Sequence, residues 1–421
     1  MVRRHPSRGS TVSQPFDSGW QDCQRSAGDD PRFIPERIAL VLSGLAAGGT
    51  ERVVCSLATH WARAGRQVSV ISLDDETTPS YYHYPPDVEI VRLGLTPRPR
   101  PPLSAALAIF RRARAIRRAL KAISPDIALS FLTRQNVLTL AATAGMRLPV
   151  IVSERSNPDR QHPGAVWDWL RNGLYPRAQR LVVMTEGARD CFGPRLAGMA
   201  SIVPNPVVLP AGWTCRRGGS RVVAVGRLEP VKGFDLLIRT FAAIAPAHPD
   251  WTLTIWGEGP ERANLEQIRT ELGLDDRVSL PGVTSTPGAW IETADVFVLT
   301  SHYEGWPNAL AEAMAAGIPV VALDCPHGPA EMIRHRHTGL LVSPAEPGRL
   351  CEALDEILGS HALRETLGAA AAISASRFEP DQVMAGWDAV VSSAMARVQA
   401  RIRHRRRRDR RPELTAGLAK P

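Results

Sequence analysis

The chain lacks the features that would place it in several common classes. It has no run of about 18 apolar residues, so no membrane-spanning helix is expected. Its six cysteines, at positions 23, 55, 191, 215, 325 and 351, form no Cys-x-x-Cys pair and no His/Cys cluster at metal-ligand spacing. Reduced cytoplasmic thiols are therefore expected, in place of a disulfide framework or a zinc site. There is no Asp-x-Asp pair of the kind that chelates a divalent ion on a diphosphate, and no short-period repeat. The first 36 residues mix Ser, Gln, Asp, Arg and Gly without an apolar core, which excludes a secretory signal and predicts a disordered leader, 1–36. Net charge is also scarce outside one segment. Of the net +9, Arg397–Arg411 carry +8 through nine arginines and one acid, so the other 406 residues carry +1. The basicity belongs to a tail, 397–421, read as solvated and disordered, and nucleic acid is not an expected partner.

What remains is an ordinary globular composition, 44% apolar and 22% charged, in a chain long enough for two or three domains. Apolar runs read as strands at 37–43, 67–73, 88–93, 127–131, 150–153 and 180–184, with helices near 51–64, 103–123, 135–144 and 165–175. The Pro- and Gly-rich stretch from Pro204 to Gly219 breaks the pattern and reads as a linker. A second series of strands follows at 221–226, 253–256, 296–299, 320–323 and 339–342. Strand–helix alternation implies parallel sheets covered on both faces. The fold class is α/β, with two Rossmann-like domains facing each other across a cleft. Their expected limits are 37–208 for an acceptor-side domain, 209–220 for the linker and 221–376 for a donor-binding domain. A helix at 377–396 is expected to pack back on the first domain.

The most informative segment is Tyr303–Val321. It places two carboxylates, Glu304 and Glu312, eight positions apart, one before a helix start and one inside the helix. A loop leaving the carboxyl end of a parallel strand is where doubly wound sheets bind ligands, and the following helix start attracts anions. Glu312 stands in an otherwise apolar helix, so it needs a partner or an open cleft; a ribose diol would satisfy it. In the same half, Arg227 and Lys232 leave one strand end together. Two fixed cations and free helix amides suit a diphosphate whose negative charge builds as a bond breaks.

The ordered set Gly226-Arg227-Leu228, Lys232-Gly233, Gly257-Glu258-Gly259-Pro260, Gly282-Val283 and Glu304-x7-Glu312 resembles a family 4 glycosyltransferase of the GT-B fold, over about residues 37 to 390. The resemblance implies a retaining transferase that uses a nucleotide diphospho-sugar and needs no tightly bound metal or other cofactor. It implies that Arg227 and Lys232 hold the diphosphate, that Glu304 lies by the donor sugar and Glu312 at the ribose, and that Gly282 and Val283 lie near the base. Gly48, Gly49, Gly305, Asn308 and Ala309 complete the expected donor set. Ser153–Pro158, Pro204–Pro206 and Asp324–Glu331 resemble a branch that builds polysaccharide or lipid-linked oligosaccharide, so the expected acceptor is a growing glycan or lipid-linked chain. A sugar-nucleotide epimerase of the same architecture, or a non-catalytic membrane or nucleic-acid binding protein, are the alternatives.

The first domain opens on the glycine turn Ser43–Thr50, which lacks the Gly-x-Gly-x-x-Gly spacing of a dinucleotide site. Asp74 could still mimic a ribose-binding acid, which keeps an NAD-linked dehydrogenase open on this half alone. The histidine that many family members carry in this domain has no counterpart in Ser130–Asn136. Glu51, Asn136, Glu154 and Arg155 are the acceptor-side candidates. Of the histidines, only His302 and His327 fall in or beside motif loops, and a structural role is expected for each. Leu103–Ile123 combines a helical line of Ile109, Ala113, Ile116, Leu120 and Ile123 with six cations and no acid. With the arginine tail, it predicts peripheral contact with an anionic bilayer, on the inner face of the cytoplasmic membrane.

Overall fold

The computed structural model describes residues 35–409, apart from 97–101, 161–162, 211, 214–217, 285, 287 and 347. Residues 1–34 of the expected leader and residues 410–421 lie outside the described residues, as does part of the expected linker.

Two parallel sheets carry the fold, as the alternation implies. The first contains β1 (Arg37–Leu42), β2 (Gln67–Ser72), β3 (Glu89–Arg92), β4 (Ile127–Phe131), β5 (Val150–Ser153), β6 (Arg180–Val183) and β7 (Ala200–Ile202) in the order β3-β2-β1-β4-β5-β6-β7. The second contains β8 (Arg221–Val225), β9 (Thr252–Trp256), β10 (Val278–Gly282), β11 (Val296–Leu299), β12 (Val320–Leu323) and β13 (Leu340–Val342) in the order β10-β9-β8-β11-β12-β13. The central strands are apolar on both faces because helices cover both: β1, β4, β8 and β11 are buried almost throughout. Each sheet reverses its winding beside its first strand, at β1/β4 and at β8/β11, which are the positions where such sheets open a crevice for ligands.

Strands β7 and β10 are additions to the sequence reading, and both are edge strands. The apolar line predicted for the helix Pro102–Ile123 faces inward: Ile116 and Leu120 are fully buried, and Ile109, Ala113 and Ile123 pack on the same core. A core-facing stripe and a bilayer-facing stripe have the same period, so spacing alone could not separate them.

The helix Pro380–Asp409 returns to the first domain. Val383, Met384, Trp387, Val390, Val391 and Ala394 join the core around β1 and β4, and Trp387 stacks near Phe131 with ring centroids 5.9 Å apart. Asp388 accepts from Trp61 Nε1 at 2.7 Å and lies 3.0 Å from His60 Nε2. The helix does not stop at 396. It runs through Asp409, so the first part of the predicted disordered tail is helical. Arginine is a good helix former, and a helix already nucleated by packing extends at little cost.

Candidate active site

Lys232 closes a short turn, Pro230–Lys232, at the carboxyl end of β8, next to Gly233 in the left-handed region at φ 60°. A Cβ on Gly233 would lie 2.5 Å from the Thr300 carbonyl oxygen, so only glycine lets this turn approach the end of β11. That approach brings Lys232 Nζ to 2.8 Å from Glu304 Oε1, which also accepts from Ser301 Oγ at 2.7 Å. Glu304 is buried and Lys232 is mostly covered. Arg227 does not join them. Its side chain is 74% exposed and pairs with Glu229 at 2.9 Å, at the mouth of the same strand end.

Glu312, in the helix Asn308–Ala315, is buried but not free. Arg52, from the first-domain helix Gly49–Arg63, donates Nη1 to Glu312 Oε1 at 2.6 Å and Nη2 to the Val208 carbonyl at 2.7 Å. Burial pushes the Glu312 carboxyl above its usual range, and Arg52 and Trp290 oppose that shift. Arg52 is the site residue that sequence reasoning missed. Its partner lies 260 positions away, and nothing local marks it.

The two domains meet here over glycine. Gly48 precedes the helix and Gly49 begins it; a Cβ on Gly49 would lie 2.7 Å from Asn308 Nδ2. Asn308 Oδ1 accepts from Asn205 Nδ2 at 2.7 Å, and Asn157 Nδ2 donates to the Glu304 carbonyl at 3.1 Å. A Cβ on Gly305 would come within 3.2 Å of the Ser156 and Asn157 backbone. Ala309 is half-buried beside them. Gly282, at φ 93°, ends β10, and Val283 next to it is 69% exposed, leaving an apolar side chain at the rim.

The acceptor-side candidates sort differently. Asn136 and Glu154 lie in the interior of the first domain. Asn136 bonds Ser130 Oγ, the Ser153 carbonyl and Tyr175 Oη; Glu154 accepts from Thr133 at 3.0 Å and from Tyr175. They brace β4 against β5 and do not face the cleft, a correction to the sequence reading. Buried polar side chains that satisfy each other look, in sequence, like site residues. Arg155 is also buried, bonded to Asn205 and placed over the Trp387 ring at 5.8 Å; burial pulls its guanidinium down to about 9. Glu51 is the half-buried one of the four, its carboxyl raised mainly by burial, and it folds against Gly48. Asp74 accepts from Leu45 N at 2.6 Å and lies against Gly44. One oxygen of its carboxylate is engaged by the glycine turn.

The site therefore combines a part-buried ammonium–carboxylate pair at the β8/β11 switch point, a second carboxylate tied across the cleft, and a glycine turn from the opposing β1/β4 switch point. The family described as Glycosyl transferases group 1 matches residues 216–373, and the Glycosyl transferase 4-like domain matches residues 48–207. The chain belongs to the glycosyltransferases of the GT-B fold. Within them its two halves carry the group 1 and the 4-like domains.

Among its relatives is an exopolysaccharide phosphotransferase of Streptomyces coelicolor, 31% identical over 70% of this chain; the match spans 31% of that protein's length. A Campylobacter jejuni alpha-1,4-N-acetyl-D-galactosaminyltransferase, named for a diNAcBac-PP-undecaprenol-linked substrate, is 26% identical over 83% of this chain and 97% of its own. Similar solved folds include the lipopolysaccharide outer core galactosyltransferase WaaB in its apo form (TM-score 0.68, 19% identity, 84% of this chain and 98% of that one). Anabaena HepE in complex with UDP-glucose is another (TM-score 0.67, 18% identity, 87% and 100%).

Proposed function

We propose that the protein transfers a hexosyl group, with retention of anomeric configuration, from a UDP-linked diphospho-sugar to a growing glycan or lipid-linked acceptor in cell-surface polysaccharide synthesis. The observation that carries this reading is the part-buried Lys232–Glu304 pair at the crevice of the second sheet. A diphosphate entering there meets an ammonium that the fold already holds in place, with Arg227 at the mouth free to swing from Glu229 onto the outer phosphate. Fixed cations stabilise the charge that builds on the leaving diphosphate, a task that a metal performs in other transferases. The departing phosphate oxygen takes the acceptor's proton, so no first-domain base is required. Glu304 borders the donor sugar. Glu312 receives the ribose hydroxyls, and the Gly282–Val283 rim lies against the base. The complexes of HepE with UDP and UDP-glucose support a uridine donor, and the undecaprenol-linked substrate in the Campylobacter relative's name supports a lipid-linked acceptor.

A panel of UDP- and GDP-sugars read by thermal shift tests the donor. One UDP-sugar is expected to raise the melting temperature well above the rest. Free UDP should then form only when an acceptor is added; interconversion of the sugar without an acceptor would indicate an epimerase and overturn the reading.

Among the described residues, no helix is long and apolar enough to cross a membrane. We place a peripheral bilayer contact on the outer face of the helix Pro102–Ile123. Leu107 and Phe110 are 59% and 63% exposed there, beside exposed Arg111, Arg114, Arg118 and Lys121. Arg112 and Arg117 are spent on backbone carbonyls and do not count toward this face. Val166 and Trp169, 63% and 74% exposed, stand on the helix Ala165–Leu174, which packs against the same neighbour, Thr133–Ala142. Each cation near an anionic surface contributes about 1 kcal/mol. Replacing Arg111, Arg114 and Arg118 by Glu is therefore expected to abolish co-flotation with phosphatidylserine-containing vesicles. Unchanged flotation would reject this face.

A further inference from the structure

Three side chains from separate parts of the chain converge beside the donor loop and take no part in the transfer proposed above. His327 projects from the loop that follows β12, Cys191 stands at the end of the helix Glu186–Asp190, and Asp159 lies on the loop after β5. The sequence places them far apart, with no metal-ligand spacing, yet their donor atoms all fall within 4.8 Å of one another. His327 Nε2 lies 3.6 Å from Cys191 Sγ and 3.8 Å from Asp159 Oδ2.

These distances are informative. A tetrahedral zinc ion with Zn–S near 2.3 Å and Zn–N and Zn–O near 2.0–2.2 Å separates sulfur from nitrogen by about 3.6 Å and nitrogen from oxygen by about 3.4 Å. The sulfur–nitrogen pair already stands at that separation. The oxygen stands a few tenths of an ångström beyond that separation from nitrogen and within 4.8 Å of the sulfur, and the Asp159 side chain is 61% exposed and free to close in.

The surroundings hold each group in place. Gly187 carries no side chain, and the His327 ring packs directly against it, where any Cβ would collide with Nδ1. The loop bearing Asp159 is fixed by Asn157 Oδ1, which accepts from the amides of Asp159 and Arg160 at 3.0 and 3.1 Å. Glu331 accepts from the amides of Glu186 and Gly187 at 2.8 and 2.9 Å, docking the Cys191 helix on the second domain. His327 Nδ1 is buried without a hydrogen-bond partner. An imidazole that bonds through Nε2 is one whose Nδ1 carries the proton.

We propose that Asp159, Cys191 and His327 bind one divalent transition-metal ion of the zinc class, linking the two domains through protein residues other than those of the diphosphate cradle. Binding forms a metal–thiolate bond, and the Cys191 proton leaves to solvent. Solvent takes the fourth position, on the exposed side of Asp159. The ion joins a first-domain pair to a second-domain histidine, so it favours the arrangement in which the cleft is closed.

The test uses the full chain, stripped with chelator and titrated with cobalt(II), whose bond to thiolate gives a near-ultraviolet charge-transfer band. One equivalent of cobalt is expected to develop that band, and zinc is expected to bleach it. Cys191→Ser should remove the band. His327→Ala should weaken binding beyond the roughly 10–100-fold typical of outer-shell changes. Asp159→Asn, at an exposed side chain that cannot threaten folding, should weaken it at least tenfold. Zinc should raise the melting temperature of the wild type and not that of Cys191→Ser. No band at stoichiometric cobalt, or a band that persists in Cys191→Ser, overturns the proposal; neither result bears on the transferase reading.

Discussion

Lys232→Ala is expected to lower turnover by roughly 10²–10³-fold, the range for removing one preorganised group that stabilises developing negative charge. The ammonium sits 2.8 Å from a buried carboxylate and within the crevice at the β8/β11 switch point, where water is largely excluded and charge interactions are strong. Two effects add. On the proposed reading the leaving diphosphate loses a fixed cation, and Glu304 is left with Ser301 as its side-chain partner in the site. Because the cation matters most when the bond breaks, kcat should fall further than the affinity for donor. Lys232→Arg keeps the charge but not the compact ammonium, and should recover only part of the rate. The protein should remain folded, since Lys232 lies in the short turn Pro230–Lys232 and outside the hydrophobic clusters. Turnover within tenfold of wild type, with the true donor and acceptor, would remove Lys232 from the site.

The largest effect on stability is expected at Gly257. Gly257→Ala should cost roughly 3–5 kcal/mol, at the upper end of single substitutions. The residue sits at φ 148°, and a Cβ there would fall far inside contact distance of the Gly226 carbonyl oxygen, a backbone atom that cannot step aside. That contact lies where the ends of three strands are pinned together. Gly226 N donates to the Trp256 carbonyl at 3.0 Å, and Gly257 N to the Gly282 carbonyl at 2.8 Å. Gly273→Ala is the control. It shares a positive φ, 66°, but a Cβ there meets nothing within 4 Å, so the cost should be about 1–2 kcal/mol from backbone strain alone. Urea unfolding of both variants separates the contributions, and equal losses would show that collision plays no part.

The legibility of this fold follows from burial. Strands such as Ile38–Leu42 and Val222–Val225 announce themselves because helices cover both faces, leaving an unbroken apolar run. The two strands missed in sequence are edges. Residues 200–202 are few and half-exposed; Val278–Gly282 alternates buried with exposed and contains Pro281, which cannot donate to a ladder. The grouping of the candidate residues was legible where they share one sheet end: Lys232, Glu304 and Glu312 stand at spacings dictated by strand, turn and helix. It was illegible where the chain returns from a distance. Arg52 looks like an ordinary helix surface charge until the domains face each other, and Asn136 and Glu154 look like cleft groups until the interior of the first domain closes over them.

On the proposed assignment of Glu312 to the ribose, the bridge from Arg52 to Glu312 makes the protein carry its own rival for the nucleotide. A ribose that needs this carboxylate must evict the guanidinium or share the acid with it. Whatever affinity is measured for the donor is then an exchange constant: the strength of the sugar–acid contact minus the strength of the tether it loosens. Nucleotide occupancy and the grip between the two lobes are thus set against each other through a single side chain.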